Sequence, residues 1–222
     1  MIDKRRRQGL PRTIEIGLAI LGLTVAAPIL TFFAILIRLN SRGPVLFRQK
    51  RVGQNSKTFI LFKLRTMTVS QAGPMITAAD DKRVTSLGKI LRRYKVDELP
   101  ELWNVLIGDM SFVGPRPEVP EFVDAKDPLW QDILRHKPGI TDPVTLRLRN
   151  EEQLLAQVVD KERYYREVVQ PYKKRGYANF VNNKSWRTDI RIIGRTLKAI
   201  ALPQTVKQPT REEMQWSLAD YM

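Results

Sequence analysis

The sequence has no cysteine and a single histidine, His136, among its 222 residues. The first absence removes disulfide staples, thiolate zinc sites and thiol nucleophiles. The second removes multi-histidine metal sites and leaves any serine–histidine relay dependent on one imidazole. Chemistry here therefore runs more naturally on carboxylates, Lys and Arg, with a hard metal ion as helper. Acid is also scarce relative to base: 23 Asp and Glu stand against 38 Lys and Arg, a net charge of +15. A surface this basic meets something anionic, whether nucleic acid, phosphorylated small molecules or acidic lipid headgroups. The length excludes a large multidomain machine yet suffices for a real core.

Charge is absent altogether from Ile16 to Ile37, a run of 22 residues that as a helix crosses the roughly 30 Å hydrocarbon layer of a bilayer. A cleaved signal peptide would end its apolar region after about 7 to 15 residues, whereas Ala26-Ala27 is followed by Pro28 and a second apolar half. Lys4, Arg5, Arg6, Arg7 and Arg12 precede the run, and Arg38, Arg42, Arg48, Lys50 and Arg51 follow it. Short basic flanks stay cytoplasmic, so both ends favour the same side. Pro28 removes a backbone hydrogen bond near the middle and bends the helix, with Thr24 placed to take up part of the freed bonding demand. The pattern predicts a helix that enters the cytoplasmic leaflet, bends at Pro28 and returns. A straight single span with a proline kink is the alternative.

The remainder reads as mainly α with a small β-hairpin. Val45 to Lys50 and Thr58 to Leu64 flank a turn at Val52 to Ser56 and predict the hairpin. Gln71 to Asp81 reads as a mobile loop. Leu87, Ile90, Leu91 and Tyr94 make the apolar face of a helix whose other faces carry Arg92, Arg93 and Lys95. A second helix is expected from Glu98 to Ile107, with Trp103 in the core, stopping at Gly108-Asp109. Gly114, Pro115, Pro117 and Pro120 favour a stiff, extended stretch from Phe112 to Pro120, which restricts the backbone of Arg116 before any ligand arrives. Leu146 and Leu148 alternate with Arg147 and Arg149, which predicts an extended strand presenting both arginines on one face. Helices follow at about 151–169 and 189–202. The second is amphipathic, as an interfacial helix or an ordinary core helix would be. The reading divides the chain into a basic N-terminus with its membrane helix (1–40), a cytoplasmic domain (41–202) and a loose tail (203–222) with a short helix near 212–222.

Asp97-Glu98 is the most informative acidic pair, because it ends a strongly basic helix and begins an apolar one. It suits two roles. Asp is a favoured helix cap, and Glu98 and Glu101 in a first turn complement the helix dipole. Inside a basic pocket, Asp97 also suits attack on an anionic substrate, since nearby cations keep a carboxylate ionised and nucleophilic.

Four stretches in order, Lys63-Leu64-Arg65-Thr66-Met67, Val96-Asp97-Glu98-Leu99-Pro100-Glu101-Leu102-Trp103-Asn104-Val105-Leu106, Gly108-Asp109-Met110-Ser111-Phe112-Val113-Gly114-Pro115-Arg116-Pro117 and Lys137-Pro138-Gly139-Ile140-Thr141, resemble the bacterial sugar transferase family. These are monotopic polyprenyl-phosphate phosphoglycosyl transferases, which begin exopolysaccharide, O-antigen and glycoprotein glycan assembly. The resemblance covers roughly residues 13–202. It implies transfer of sugar 1-phosphate from a UDP-sugar to undecaprenyl phosphate with release of UMP, on the cytoplasmic face of the bacterial inner membrane. It further implies attack by Asp97 to form a covalent aspartyl phosphosugar, help from Glu98 in orienting or deprotonating the incoming group, and Mg2+ held partly by Asp97. Lys63 and Arg116 match basic motif positions and are carried over as phosphate contacts, with Arg65 and Arg92 as weaker candidates. The family's helix breaks at a proline in the membrane, as Pro28 would do here. Membrane lipids are expected partners, nucleic acid is not, and a homodimer stays open.

The chain departs from many relatives after Gly139-Ile140-Thr141, where it continues Asp142-Pro143-Val144-Thr145-Leu146-Arg147-Leu148-Arg149-Asn150 instead of a Gly-Trp-Ala-Gln-like stretch. Sugar preference therefore does not transfer. Arg147 and Arg149 are candidate phosphate contacts there, or a solvated basic strand. From another class, a membrane-tethered basic binding protein for nucleic acid or acidic lipid predicts salt-sensitive binding without turnover. A hydrolase with the same aspartyl intermediate predicts sustained release of sugar phosphate to water.

Overall fold

The structure is a computed structural model that describes residues 9–68 and 76–214. Helix α1 (Arg12–Asn40) carries the apolar run and holds Pro28 within it. Four of its residues are buried, Glu15, Ala19, Ala26 and Ile37, at spacings that fall on one helical stripe. Elsewhere many of its large apolar side chains, among them Ile14, Leu21, Val25, Phe32 and Leu39, are exposed. The helix is long and apolar enough to cross a membrane by length and composition, and so wide an uncovered apolar surface associates with one. Thr24 gives its hydroxyl to Ile20 O (2.9 Å), not to a carbonyl released by Pro28. The N-terminal basic cluster Lys4 to Arg7 lies outside the described residues.

The hairpin forms as the alternation predicts: β1 (Leu46–Val52) pairs antiparallel with β2 (Thr58–Leu64), with Leu46 opposite Leu64 and Val52 opposite Thr58. Of the loop expected at 71–81, residues 71–75 lie outside the described part. From Ile76 onward it is packed, with Ile76 and Ala78 buried and Ala79 N–H on Glu152 O (2.9 Å). The basic helix α2 (Ser86–Arg93) is capped by Thr85, whose side chain accepts the Gly88 N–H.

Helix α3 (Glu101–Ile107) starts later than the sequence predicts, because a separate 3-10 turn takes Val96–Glu98 and Pro100 occupies the N-cap. Trp103 is half exposed, not in the core. The small side chain of Ala19 lets α3 approach α1, with Val105 and Met110 closing over it. Ile37 packs at the other end against Leu64 and Leu91.

Strand β3 (Ser111–Val113) pairs in parallel with β4 (Gly139–Thr141) across α4 (Pro128–Leu134), a long-range pairing that no local pattern announces. The next stretch corrects the sequence reading. The strand expected around Leu146 to Arg149 is a helix, α5 (Pro143–Arg147), because Asp142 caps it through Val144 N–H and Thr145 N–H and Pro143 fills its first turn. Four further helices complete the chain: α6 (Glu151–Ala156), α7 (Lys161–Tyr164), α8 (Gln170–Asn182), reached from α7 through a π-turn at Tyr165–Val169, and α9 (Trp186–Ala201). The main core lies between α4, α8 and the segments around Phe122 and Leu155. Beyond α9, Met214 is fully buried in that core; most of the tail helix expected at 212–222 lies outside the described residues.

Candidate active site

The site starts from one buried amide. Asn104 on α3 accepts from Phe62 N–H (3.2 Å) and donates to Ile60 O (2.7 Å), stitching α3 to β2. That stitch lays Lys63 of β2 across the acidic start of α3. Lys63 Nζ lies 3.0 Å from Glu98 Oε1 and 3.3 Å from Glu101 Oε1.

The other cation arrives from β3. A side chain on Gly114 would meet the Lys137 carbonyl, and one on Gly139 would meet the Gly114 backbone, so the two strands touch where only glycine fits. Gly114 N–H bonds Thr141 O and Gly139 N–H bonds Pro115 O, both at 3.0 Å. This contact fixes the outgoing Pro115-Arg116-Pro117 stretch, and Arg116 donates one amino group to Ile140 O (3.3 Å) and the other to Glu98. Arg116 NH2 also lies 3.8 Å from Glu101.

Asp97 stands at the centre of the 3-10 turn and is 7 % exposed. Lys95 two residues before it adopts a left-handed backbone (φ 59°, ψ 22°), a conformation unusual for a side chain of that size. Its Nζ lies 3.8 Å from Glu98. Asp97 Oδ1 is buried and has no hydrogen-bond partner among the described residues.

The three carboxylates are tuned apart. Burial pushes the Asp97 carboxyl up and the charge of Glu98 adds to it, against the pull of Lys63, Lys95 and Arg92. Burial also pushes Glu98 up, but Arg116, Lys63 and Lys95 outweigh it and hold that carboxyl well below the usual range. Glu101 is raised, by burial first, with Lys63 and Arg116 opposing. Arg116 stays charged: burial disfavours its cation, and Glu98 and Glu101 more than compensate. Neighbouring groups with pKa values driven apart mark an acid–base or nucleophilic site.

Lys63, Lys95, Asp97, Glu98 and Arg116 line an open cleft of about 1690 Å³, and Glu101 lies buried behind it. Of the candidates read from the sequence, Asp97, Glu98, Lys63 and Arg116 converge at one end of it. Arg92 also lines it, fixed by Thr66 Oγ1 (2.9 Å) and Glu152 (2.8 Å). Arg65 lines it too, but its guanidinium is taken up in closing the end of α1. Its guanidinium is bonded to the carbonyls of Ile37 (3.3 Å), Ser41 (2.8 Å) and Arg42 (3.0 Å) and to Ser41 Oγ (2.9 Å). Arg147 and Arg149 do not share a face. Arg147 forms a two-pronged pair with Glu213 at 2.8 Å, outside the cleft lining, and Arg149 lines the cleft and donates to Ala199 O.

Two site residues escape the sequence reading. Glu101 carries only a dipole role there, although its spacing of four from Asp97 and three from Glu98 places all three on one helical face. Lys95 reads as one more base on a helix, and its left-handed backbone leaves no trace in the sequence.

The family described as Bacterial sugar transferase matches residues 6–202. A Bacillus subtilis (strain 168) protein named for undecaprenyl-phosphate N-acetylgalactosaminyl 1-phosphate transfer is 44% identical over 121 residues, covering 54% of this chain and 68% of its own. The UDP-glucose:undecaprenyl-phosphate glucose-1-phosphate transferase of Caulobacter vibrioides is 41% identical over 141 residues, covering 61% and 53%. The galactosyl transferase CpsE of Streptococcus agalactiae serotype III is 33% identical over 204 residues, covering 86% and 42%. The chain thus spans from 42% to 68% of these relatives' lengths. With the match running from the basic flank of α1 through α9, the chain belongs to the bacterial sugar transferase family.

Proposed function

We propose that the protein transfers sugar 1-phosphate from a UDP-sugar to undecaprenyl phosphate, giving undecaprenyl-diphosphate-sugar and UMP as a first membrane step in exopolysaccharide, O-antigen or related glycan assembly. One observation carries this reading: a buried carboxylate oxygen, Asp97 Oδ1, has no partner among the described residues, in the wall of a cleft where Lys63 and Arg116 are fixed on the adjoining Glu98. The names of the relatives from Caulobacter and Bacillus, which carry undecaprenyl phosphate and, in the first, UDP-glucose, support the substrate classes.

In the first step Asp97 attacks the sugar-linked phosphorus. An aspartyl oxygen–phosphorus bond forms, the bond to the bridging oxygen breaks, and UMP leaves with that oxygen. In the second step an oxygen of undecaprenyl phosphate attacks the same phosphorus and the aspartyl bond breaks, restoring the carboxylate. Phosphoryl transfer depends on positioned charge more than on covalent help. Lys63 and Arg116 supply it, and ionised Glu98 holds both cations in place. Positioned this way, Glu98 acts on geometry and not as a proton carrier.

Mg2+ takes one or two carboxylates together with substrate phosphates. Among the described residues no group of three or more ligands forms an all-protein cage, and the unpartnered Oδ1 of Asp97 fits the sparse kind of site. Asp97 and the donor diphosphate would hold the ion, which would neutralise phosphate charge.

The membrane helix belongs to this mechanism, because one substrate is soluble and the other lives in lipid. Arg12 at the start of α1 donates to Val105 O (2.6 Å) and Leu106 O (2.8 Å), while Arg65 caps its end. Both ends of α1 are therefore tied to the same domain. A perpendicular crossing would tear one of them loose, which supports entry and return on the cytoplasmic side with Pro28 in the leaflet. Exposed Ile90, Trp103, Ile107, Ile190 and Leu197 on α2, α3 and α9 offer the apolar contacts of an interfacial domain.

The test is to mix the protein with UDP-sugars, undecaprenyl phosphate and Mg2+, following UMP and the mass of the peptide containing Asp97. UMP release with a sugar-phosphate adduct on Asp97 is expected, and without acceptor about one turnover. Sustained turnover without acceptor would mean a hydrolase, and a competent preparation that never forms the adduct would refute the assignment.

A further inference from the structure

Past Arg116 the wall of the cleft changes character. Arg116 and Glu118 are separated only by Pro117, on a stretch steered toward extended backbone where alternate side chains share a face, and both line the cleft. Glu118 is 6 % exposed and accepts the Tyr165 hydroxyl on one oxygen (3.0 Å). Lys173 Nζ lies 3.5 Å from its other oxygen, 2.8 Å from Glu151 and 3.2 Å from the Tyr165 hydroxyl. All four residues line the cleft.

The hydrogen-bonding capacities of this group do not balance. Lys173 has three N–H donors and three neighbours to take them; the Tyr165 hydroxyl gives its proton to Glu118. The two carboxylates, with roughly four lone-pair sites each, keep unfilled acceptor positions. Glu151 is also partly open, its side chain 24 % exposed. These four side chains therefore have surplus acceptors and no surplus donors, while the neighbouring Arg51 is turned to Gln49 and Pro117 O. Their open positions are acceptors, which suit a neutral ligand rich in hydroxyl donors better than a phosphate. The end around Lys63 and Arg116 has the opposite bias.

Resting on the function proposed above, we infer that Glu118, Glu151, Tyr165 and Lys173 form the subsite that receives the sugar hydroxyls of the donor and selects among sugars. The sugar is joined directly to the phosphorus that Asp97 attacks, so it must lie next to the phosphate clamp, and Glu118 is the first acceptor beyond that clamp along the chain. A charged network in a cleft wall, beside the reacting group, is where specificity is built from a few placed polar groups.

Calorimetric binding in an Asp97→Asn background, where turnover is blocked, tests this with UDP-glucose, UDP-galactose, their N-acetylated counterparts and UDP alone. Adding Glu151→Gln or Tyr165→Phe is expected to weaken the preferred UDP-sugar by about tenfold, as loss of a hydrogen bond to a charged acceptor does, and to flatten discrimination among epimers. UDP should change by less than about twofold on the same scale. Equal weakening of UDP and UDP-sugar would assign the wall to the nucleoside or to structure, and unchanged binding of both would assign it to neither; each overturns the inference. If the single Asp97→Asn protein binds no UDP-sugar and the parent forms no adduct, the proposed function itself fails and takes the subsite with it.

Discussion

The two ends of the cleft use the same residue types and tune them in opposite directions. At one end Asp97 is buried with an unpartnered oxygen and its carboxyl is raised, by burial first and by Glu98 second. At the other, Glu118 is equally buried, yet Lys173, Arg51 and the Tyr165 hydroxyl outweigh burial and hold it below its usual value. The difference separates a carboxyl whose charge the fold opposes from one whose charge the fold supports. Replacing each with its amide should therefore change stability with opposite sign.

Asp97→Asn is the largest break. Activity should fall by at least about a thousandfold, as when a nucleophile is removed. A carboxyl raised in the fold binds its proton more tightly there than when unfolded. Its stabilisation is full below the unfolded pKa and lost as pH rises through the folded one. At neutral pH the ionised, buried carboxylate therefore weighs against the fold, and the amide removes that burden. The melting temperature without added Mg2+ should be no lower than that of the parent; a clear drop would show that Asp97 is structural.

Glu98 and Glu101 repeat the contrast within one end. Glu98 is held low and bonded to Lys63 and Arg116, whereas Glu101 is raised, with Lys63 at 3.3 Å and Arg116 at 3.8 Å. Glu98→Gln should lower turnover by about a hundredfold through misplaced cations, while Glu101→Gln, which mimics a protonated carboxyl, should stay within about tenfold by the same reasoning. Reversed magnitudes would mean that Glu101 is the group that positions the cations.

Glu118→Gln carries the opposite sign to Asp97→Asn. The Glu118 carboxyl faces Lys173, Tyr165, Arg51 and Arg116 and is depressed in the fold. Its contribution is present above the unfolded pKa and disappears as pH falls through the folded one. At neutral pH the variant should lose about 2 kcal/mol, as for a hydrogen bond to a charged partner, and the gap from the parent should close in acid. Thermal unfolding in detergent across pH reads this directly, and a gap that widens in acid would contradict the sign.

The first end of the cleft is far more legible in the amino-acid order than the second. Asp97, Glu98, Lys63 and Arg116 lie inside the short, ordered motifs that carry the family resemblance, so the resemblance points to them together where local pattern alone does not. The hairpin is legible from local pattern, through alternation over β1 and β2. What stays hidden depends on distant contacts. The β3–β4 pairing joins residues 111–113 to 139–141, and Glu118 meets Lys173 across 55 positions. The strand expected near Leu146 fails differently: Asp142-Pro143 is a helix-start signature, and the alternation of Leu and Arg over four residues is too short to outweigh it.

Arg147 gives the smallest and most discriminating effect, because the strand reading and the helix reading place it differently. On a strand shared with Arg149 it would face phosphate, and its loss would weaken donor binding. At the end of α5 it faces the tail instead, where it pairs with Glu213, both side chains more than a third exposed. Such a pair contributes about 0 to 1 kcal/mol. Arg147→Gln should leave KM and kcat within about twofold, with a slightly lower melting temperature that salt erases in the parent as it screens the pair. The same substitution at Arg149, which lines the cleft and donates to Ala199 O, should raise KM more than Arg147→Gln does. Equal losses from both would restore the shared basic face that α5 has replaced.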